Sequence, residues 1–487
     1  MRLLSINEGG GYMESQKGKY VKAGVAYTIG NYLLKGISFI TLPLFVRLMT
    51  TEEYGNFSTY AAYESIFTII VSLALYSSLK NAKYKFSNTN EFQEYISSCI
   101  QISAISTLGV LIICNIFYNY LTFIMDMTRG VMNLMIIQSY AASLLTLYQS
   151  YKSLSYKYVS FLRVSFINVI SNIGLSLLLM FTVLYNDRYL ARVLGTAIPL
   201  IIIGIAIIIY FIRIGGFHFN RFHWKYGIKF SIPLVLHGIS QVILNQFDRI
   251  MIKAMRGAYD AGIYSFGYNI SCLIAITSTS LQQVWQPWFY ERMAEKDEKA
   301  IRNRGKQFSF GMMLFISCVI LGINEIVIIM GTSEYRQSIY YLIPLLVGGY
   351  FSFLYLLPSQ VEYYYEKTSY IAVGTCIAAV FNIAMNYLGI KWFGSIAAAY
   401  TTAVIYCFYF FIHFFIAARV HGSSLFELKS IILHCCFLIL VAIISLLLIN
   451  YWYIRWGLLT AIGIYMLYWL NHSLKLLDSL KNRISSR

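Results

Sequence analysis

Fourteen apolar runs, each long enough to cross a bilayer as a helix, leave this chain of 487 residues few folds to choose from. A hydrocarbon core of about 30 Å takes about 20 helical residues at 1.5 Å each. Runs of that length, bounded by charge, Gly or Asn, fall at 25–48, 57–79, 95–118, 131–151, 164–185, 190–212, 228–252, 262–288, 308–330, 338–361, 369–390, 394–418, 430–450 and 454–474. In lipid every backbone amide needs a partner inside the protein, which a helix supplies locally and an open strand does not. The expectation is an all-α polytopic membrane protein of about 14 transmembrane helices. Composition agrees, with 58% hydrophobic and 12% charged residues. A soluble domain carries about a quarter charged residues, so a soluble globule is excluded.

The formal net charge of +17, from 38 Lys and Arg against 21 Asp and Glu, would suggest nucleic acid as partner in a soluble protein. Placement points elsewhere. With the N-terminal side taken as inside and cations at span ends counted with the adjoining loop, 27 of the cations fall to the leader, the even-numbered loops and the tail, and 10 to the remaining loops, with Lys35 left deep within a span. That asymmetry predicts a multi-pass protein with both termini cytoplasmic, and it makes much of the charge a matter of topology, so no nucleic-acid partner is expected. The first run continues into a full-length span and so acts as its own insertion signal. Met13 is an alternative start to Met1. All eight cysteines lie in apolar runs without paired metal-site spacing, so they read as small apolar filler and no metal is expected.

No loop is long enough to form a domain. The largest, ERMAEKDEKAIRNRGK at 291–306, is a mixed-charge stretch best read as a solvated helix. The expected organisation is a cytoplasmic leader (1–24), an N-terminal six-helix lobe (25–213), a C-terminal six-helix lobe (214–418), two additional spans (419–474) and a basic cytoplasmic tail (475–487). Each lobe carries a similar signature, Arg47 followed by GNFS at 55–58 and Arg249 followed by GIYS at 262–265. Parallel repeats of this kind are a known transporter plan.

At these residues the chain resembles the polysaccharide-flippase (Wzx-type) branch of the MOP superfamily, which also holds lipid II flippases and multidrug (MATE) exporters. The stretches that carry the resemblance are ITLPLFVRLMTTEEYGNFSTY from Ile40, FDRIMIKAMRGAYDAGIYSFGYNI from Phe247, QQVWQPWFYERM from Gln282, MGTSEYRQS from Met330 and FNIAMNYLGIKWFGSIAAAYTT from Phe381. LALYSSLKNAKYKF from Leu73 departs from the pattern, since relatives often carry a glycine before the small residues. The resemblance implies two six-helix lobes around a central cavity with two appended spans. It also implies a polyprenyl-diphosphate-linked glycan as cargo, moved from the inner to the outer leaflet by alternating access. Membrane lipids, a polysaccharide polymerase and glycosyltransferases are the partners that such a role implies.

Ionisable groups deep in a span cost about 2.5–3.5 kcal/mol on insertion scales and ask for a partner or a wet cavity. Lys35 lies near the middle of span 1, in one polar stripe with Thr28, Asn31 and Ser38. Its ammonium suits a lipid diphosphate better than a hydrophobic cation. Glu64 in span 2 lies at a similar depth, either as the ion-pair partner of Lys35 or as a proton or sodium site. His237, Gln241, Asn245 and Asp248 form a second stripe on span 7, suited to a sugar's hydroxyls or to hydrogen bonds between helices. Asp248 joins Glu64 as a candidate for coupling to a proton or sodium gradient, and no cofactor is expected.

Arg47 and Arg249, with Lys253 and Arg256, cluster toward the outer ends of spans 1 and 7, either to receive the diphosphate or to reach lipid headgroups. Pro344, Gly348, Gly349 and Pro358 punctuate span 10 as candidate hinges. Trp452 and Trp456 read as interfacial anchors, and Glu325 does not read as a coupling site. TTEEYGN from Thr50, the outer loop with adjacent carboxylates, looks like a loop cap rather than a glycan polymerase's acidic pair. A transporter rather than an enzyme is therefore expected, with a MATE-like cation-coupled drug or metabolite antiporter as the rival.

Overall fold

The computed structural model describes residues 30, 36–37, 39–86, 88–155 and 157–474. The leader, the tail, and the candidates Asn31, Lys35 and Ser38 lie outside the described residues. The described chain is all-α, with no strand among the described residues. By internal contacts it divides between Gln246 and Phe247 into two compact units, each described in turn.

Unit 1 begins with α1 (Phe39–Leu48) and α2 (Thr51–Ser72). TTEEYGN proves to be the start of α2. The Thr50 side chain accepts from Glu53 N at 3.2 Å, and Glu53 returns a bond to Thr50 N at 2.8 Å, closing a capping box. The Glu53 carboxylate also accepts from Arg188 N at 3.0 Å, tying α2 to the start of α8 (Arg188–Gly215).

Span 2 is not straight. After Ser72 the chain turns by 54° through a 3₁₀ segment into α3 (Leu79–Lys85). At the turn Leu73 and Ala74 hold φ of 48° and 52°. This left-handed region costs an L-residue about 1–2 kcal/mol, and glycine adopts it freely. The stretch lacking the expected glycine is therefore the stretch that needs one.

The rest of unit 1 is α4 (Thr89–Ile116), α5 (Tyr118–Met125), α6 (Arg129–Leu154), α7 (Tyr158–Phe181) and α8, followed by the first part of α9 (Arg221–Arg256). Its core is aromatic. Tyr148 and Tyr151 pack on Phe211, Tyr95 packs on Phe86 and Tyr226, and all but the half-buried Tyr226 are buried in one cluster with aliphatic residues of α4, α6 and α8. Lys152, counted from the sequence as a loop cation, is buried here. Its Nζ donates to Tyr210 OH at 2.8 Å and lies 5.0, 5.2 and 4.4 Å from the rings of Tyr148, Tyr151 and Tyr210.

Unit 2 holds the remainder of α9, then α10 (Ala258–Ala294), α11 (Glu298–Leu321), α12 (Ile323–Met330), α13 (Ile339–Tyr364), α14 (Thr368–Phe393) and α15 (Ala397–His421). It ends with α16 (Leu428–Leu447) and α17 (Trp452–Leu474). α11 and α12 meet at a 60° bend, which the sequence reads as one continuous span. The mixed-charge loop is partly the first turns of α11, capped by Asp297, whose side chain accepts from Ala300 N at 3.0 Å.

α16 and α17 pack on α11, and one buried arginine fastens them. Arg455 is fully buried, and its guanidinium holds Glu325 bidentately at 2.6 and 3.0 Å. It also donates to Leu321 O at 2.8 Å, capping the last carbonyls of α11. Arg455 had been counted as a loop cation.

Nine helices are long and apolar enough to cross a membrane, or eleven with each bent pair taken as one span, among the described residues. α10, with 37 residues, and α17, with 23, also have the length of a span, which is consistent with about fourteen. The protein is thus a multi-pass membrane protein.

Candidate functional site

The polar positions singled out on α9 part company. His237 is half-buried, and its Nδ1 has no hydrogen-bond partner. Four residues on, Gln241 is also half-buried, and its backbone carbonyl accepts from Asn245 Nδ2 at 2.6 Å. A membrane helix whose polar stripe stays half open in this way has not spent all its hydrogen-bonding capacity on neighbouring helices.

Asp248, by contrast, is buried and fully engaged. Its Oδ2 accepts from Tyr264 OH of α10 at 2.5 Å and from Thr402 Oγ1 of α15 at 2.8 Å, and its Oδ1 accepts from Asn386 Nδ2 of α14 at 2.6 Å. Asn386 also donates to Asn382 Oδ1 at 3.2 Å and accepts from Thr401. Four helices therefore converge on one carboxylate. The cluster carries oxygen from a carboxylate, two amides and three hydroxyls. That donor set suits a proton or a hard cation rather than a soft metal.

Its neighbour Arg249, about 100° around the helix, turns to other partners. Arg249 is buried, lies 4.7 Å from the Tyr268 ring and donates to Asn269 Oδ1 at 3.3 Å. Arg256 reaches the end of α14, donating to Ile390 O at 2.6 Å and Lys391 O at 3.1 Å, which makes it a helix cap. Arg47 is exposed near the end of α1.

Glu64 sits half-buried on α2. Its carboxylate accepts from Thr68 Oγ1 at 3.3 Å and forms no ion pair among the described residues. Its backbone carbonyl accepts from Ser139 Oγ of α6 at 3.2 Å, fixing α2 against α6.

The four span 10 positions lie on α13, which runs unbroken from Ile339 to Tyr364 through Pro344 and Pro358. A Cβ on Gly348 would stand 3.0 Å from Ala403 Cα of α15, and one on Gly349 would stand 2.8 Å from Ile274 Cδ1 of α10. Both glycines therefore let helices approach closely, on two faces of α13 about 100° apart. The sharp bends of the chain fall elsewhere, at Leu73–Ala74 and at Gly322.

Two buried polar groups were not foreseen. Glu362 of α13 and His413 of α15, both fully buried, meet with Oε1 and Nδ1 2.6 Å apart, while Glu362 Oε2 and His413 Nε2 have no partner. They stand 51 residues apart in sequence, near the ends of their spans, where a lone charge reads as interfacial. Arg192 of α8 reaches back to donate to Asn172 Oδ1 at 2.6 Å and Ser176 Oγ at 2.8 Å, with its guanidinium 3.7 Å from the Phe45 ring centroid. Its place two residues into the run 190–212 is what groups it with the preceding loop in the sequence.

The fold of the chain matches solved structures of membrane transporters. A lipid II flippase, MurJ, in an inward closed conformation matches with a TM-score of 0.74 at 15% identity, covering 93% of this chain and 100% of that one. An inward-facing MATE multidrug resistance transporter matches at 0.65 and 13% identity, covering 82% and 99%. In sequence, a protein of the Lsg locus of Haemophilus influenzae is 25% identical over 389 residues, which is 77% of this chain and 93% of that protein. An uncharacterized membrane protein of the same organism is 21% identical over 376 residues, covering 76% and 89%. Residues 21–293, more than half of the chain, match the sequence profile of the polysaccharide biosynthesis protein family, and the chain belongs to that family. Its fold is the one that this lipid II flippase and this MATE transporter share.

Proposed function

We propose that the protein carries a polyprenyl-diphosphate-linked oligosaccharide from the inner to the outer leaflet of the bacterial cytoplasmic membrane for surface polysaccharide assembly. The observation that carries this reading is the membership in a polysaccharide biosynthesis family of a chain whose fold matches a flippase for lipid II. The half-open polar positions of α9, from His237 to Asn245, supply sites for glycan hydroxyls, and Lys35 supplies a point charge for the diphosphate. Both termini face the cytoplasm, and glycosyltransferases and a polymerase supply and consume the cargo. The lobes alternate access, with the prolines and glycines of α13 as flexing points.

Coupling to a proton or sodium gradient is assigned to the Asp248 cluster ahead of Glu64. Its oxygen ligands come from four helices, so binding a cation or proton there biases how those helices pack. Export measured in a deletion strain tests the transport reading. Loss of the gene should accumulate lipid-linked glycan and abolish surface polymer, and restoration by wild type but not by Lys35→Ala is expected, with equal membrane levels of the two. Drug sensitivity without glycan accumulation would overturn the proposal in favour of the antiporter reading that the MATE-like fold also accommodates.

A further inference from the structure

Unit 1 contains a notch of about 510 Å³ between the α2–α3 bend, α6 and α7. Along α6, Thr146, Gln149, Ser150 and Ser153 follow i, i+3, i+4, i+7 spacing and line it as one polar stripe about 100° wide. The opposite face of α6, with Leu144, Leu147, Tyr148 and Tyr151, packs into the aromatic core. A helix in a bilayer has no need of this amphipathicity for packing, since lipid is as apolar as the core.

The facing wall exists because the backbone leaves the helix at Leu73–Ala74. Beyond that left-handed pair, Tyr76, Ser77 and Lys80 turn into the notch. Thr146 and Gln149 are spoken for, donating to Ala142 O at 3.0 Å and Ser165 Oγ at 3.0 Å. The hydroxyls of Tyr76, Ser77, Ser150 and Ser153 and the Lys80 ammonium make no hydrogen bond to protein among the described residues. No carboxylate is among the described residues that line the notch.

From this convergence we infer that the notch is a docking site for the sugar-phosphate end of a lipid-anchored glycan. Open hydroxyls match a sugar's alternating donors and acceptors, and a single unpaired ammonium is a point charge for phosphate. The volume falls within the range of small-molecule sites. By the distribution of lysine and arginine this end of the spans is cytoplasmic, so the notch holds cargo at loading. The inference rests on the proposed glycan-flippase function and gives that function a second contact point, apart from Lys35 and α9.

The test uses the full chain in lipid nanodiscs with two probes, farnesyl-diphospho-N-acetylglucosamine and N-acetylglucosamine 1-phosphate. Lys80→Gln and the space-filling Ser153→Trp should each weaken binding of the farnesyl probe at least tenfold, while Lys80→Arg stays within threefold of wild type. The soluble sugar phosphate should compete, but only at far higher concentration, which separates a lipid-anchored source from a free one. Because Ser153→Trp risks misfolding, the near-isosteric Ser150→Cys provides an independent readout. The farnesyl probe should slow maleimide labelling at that position at least fivefold, as resolved by peptide mass spectrometry. Unchanged affinity in Lys80→Gln and Ser153→Trp, or unprotected Cys labelling at saturating probe, would overturn the site. A strain in which wild type restores polymer export and Ser153→Trp restores it equally would sink the notch alone, whereas a deletion without glycan accumulation would sink the flippase reading itself.

Discussion

The Asp248 cluster of unit 2 and the α6 notch of unit 1 are both polar groupings inside apolar bundles, yet they use their polarity in opposite ways. Around Asp248 every bonded partner is a side chain of a neighbouring helix, and the carboxylate accepts three hydrogen bonds. In the notch, hydroxyls and an ammonium converge without bonding one another. A closed cluster specifies how helices sit together, and an open one leaves its bonding capacity to something that arrives. The contrast separates polar residues that build the protein from those available to cargo.

The largest expected effect comes from breaking the closed cluster. Asp248→Ala orphans three buried donors, each costing about 1–3 kcal/mol, partly offset by no longer burying a carboxylate. A loss of about 3–5 kcal/mol is expected in SDS titration of the protein in mixed micelles. Ser150→Ala, which removes an unbonded hydroxyl from the notch, should stay within about 0.5 kcal/mol. Similar losses at the two positions would erase the distinction between closed and open clusters. Asp248→Asn sharpens it. The amide oxygen can still accept from Tyr264 and Thr402, but the new NH₂ would face the Asn386 NH₂, donor against donor.

A smaller effect is expected where the two appended spans join unit 2. Arg455→Ala leaves Glu325 without its bidentate partner and Leu321 O without its cap. Glu325 is partly exposed, so water recovers some of the loss. The cost should be about 2–3 kcal/mol, at or just below the low end for a broken buried pair. Limited proteolysis between α15 and α16 should accelerate if this contact fastens the appended helices. An unchanged cleavage rate would mean that apolar packing alone holds them.

How much of this was legible follows from the range of each interaction. The spans were readable because bilayer thickness acts on local composition, and in the described chain every apolar run falls mostly on helix. The polar stripe of α9 was readable because its residues include His and Asp, which stand out against Ile and Leu. The stripe of α6 was not, since Ser and Thr barely lower hydropathy, and Gln149 stands alone among them. Pairs such as Glu362 with His413, or Glu325 with Arg455, join residues 51 and 130 positions apart, and no periodicity links such positions. Lys152, Arg192 and Arg455 were assigned to loops because a cation near a span end usually reaches water. Tyrosine rings, amide oxygens and a carboxylate hold them inside instead. Nothing local in LALYSS announces a left-handed pair either, beyond the absent glycine.

That absent glycine gives the smallest effect and the most specific one. Ala74 and Ala141 are both buried alanines, the first left-handed at the α2–α3 turn and the second in the regular helix α6. Replacing either with glycine deletes one methyl, worth about 0.8 kcal/mol, and frees the unfolded backbone at a cost of about 0.5–1 kcal/mol. Only at Ala74 does the change also relieve a φ of 52°, worth about 1–2 kcal/mol. Ala141→Gly should therefore destabilise by about 1.5 kcal/mol, while Ala74→Gly should fall within about 0.5 kcal/mol of wild type. The difference between the two reads the strain stored at the turn that opens the notch. Equal losses would mean that the turn costs the chain nothing, and the departure from a glycine at this position would then need no structural account.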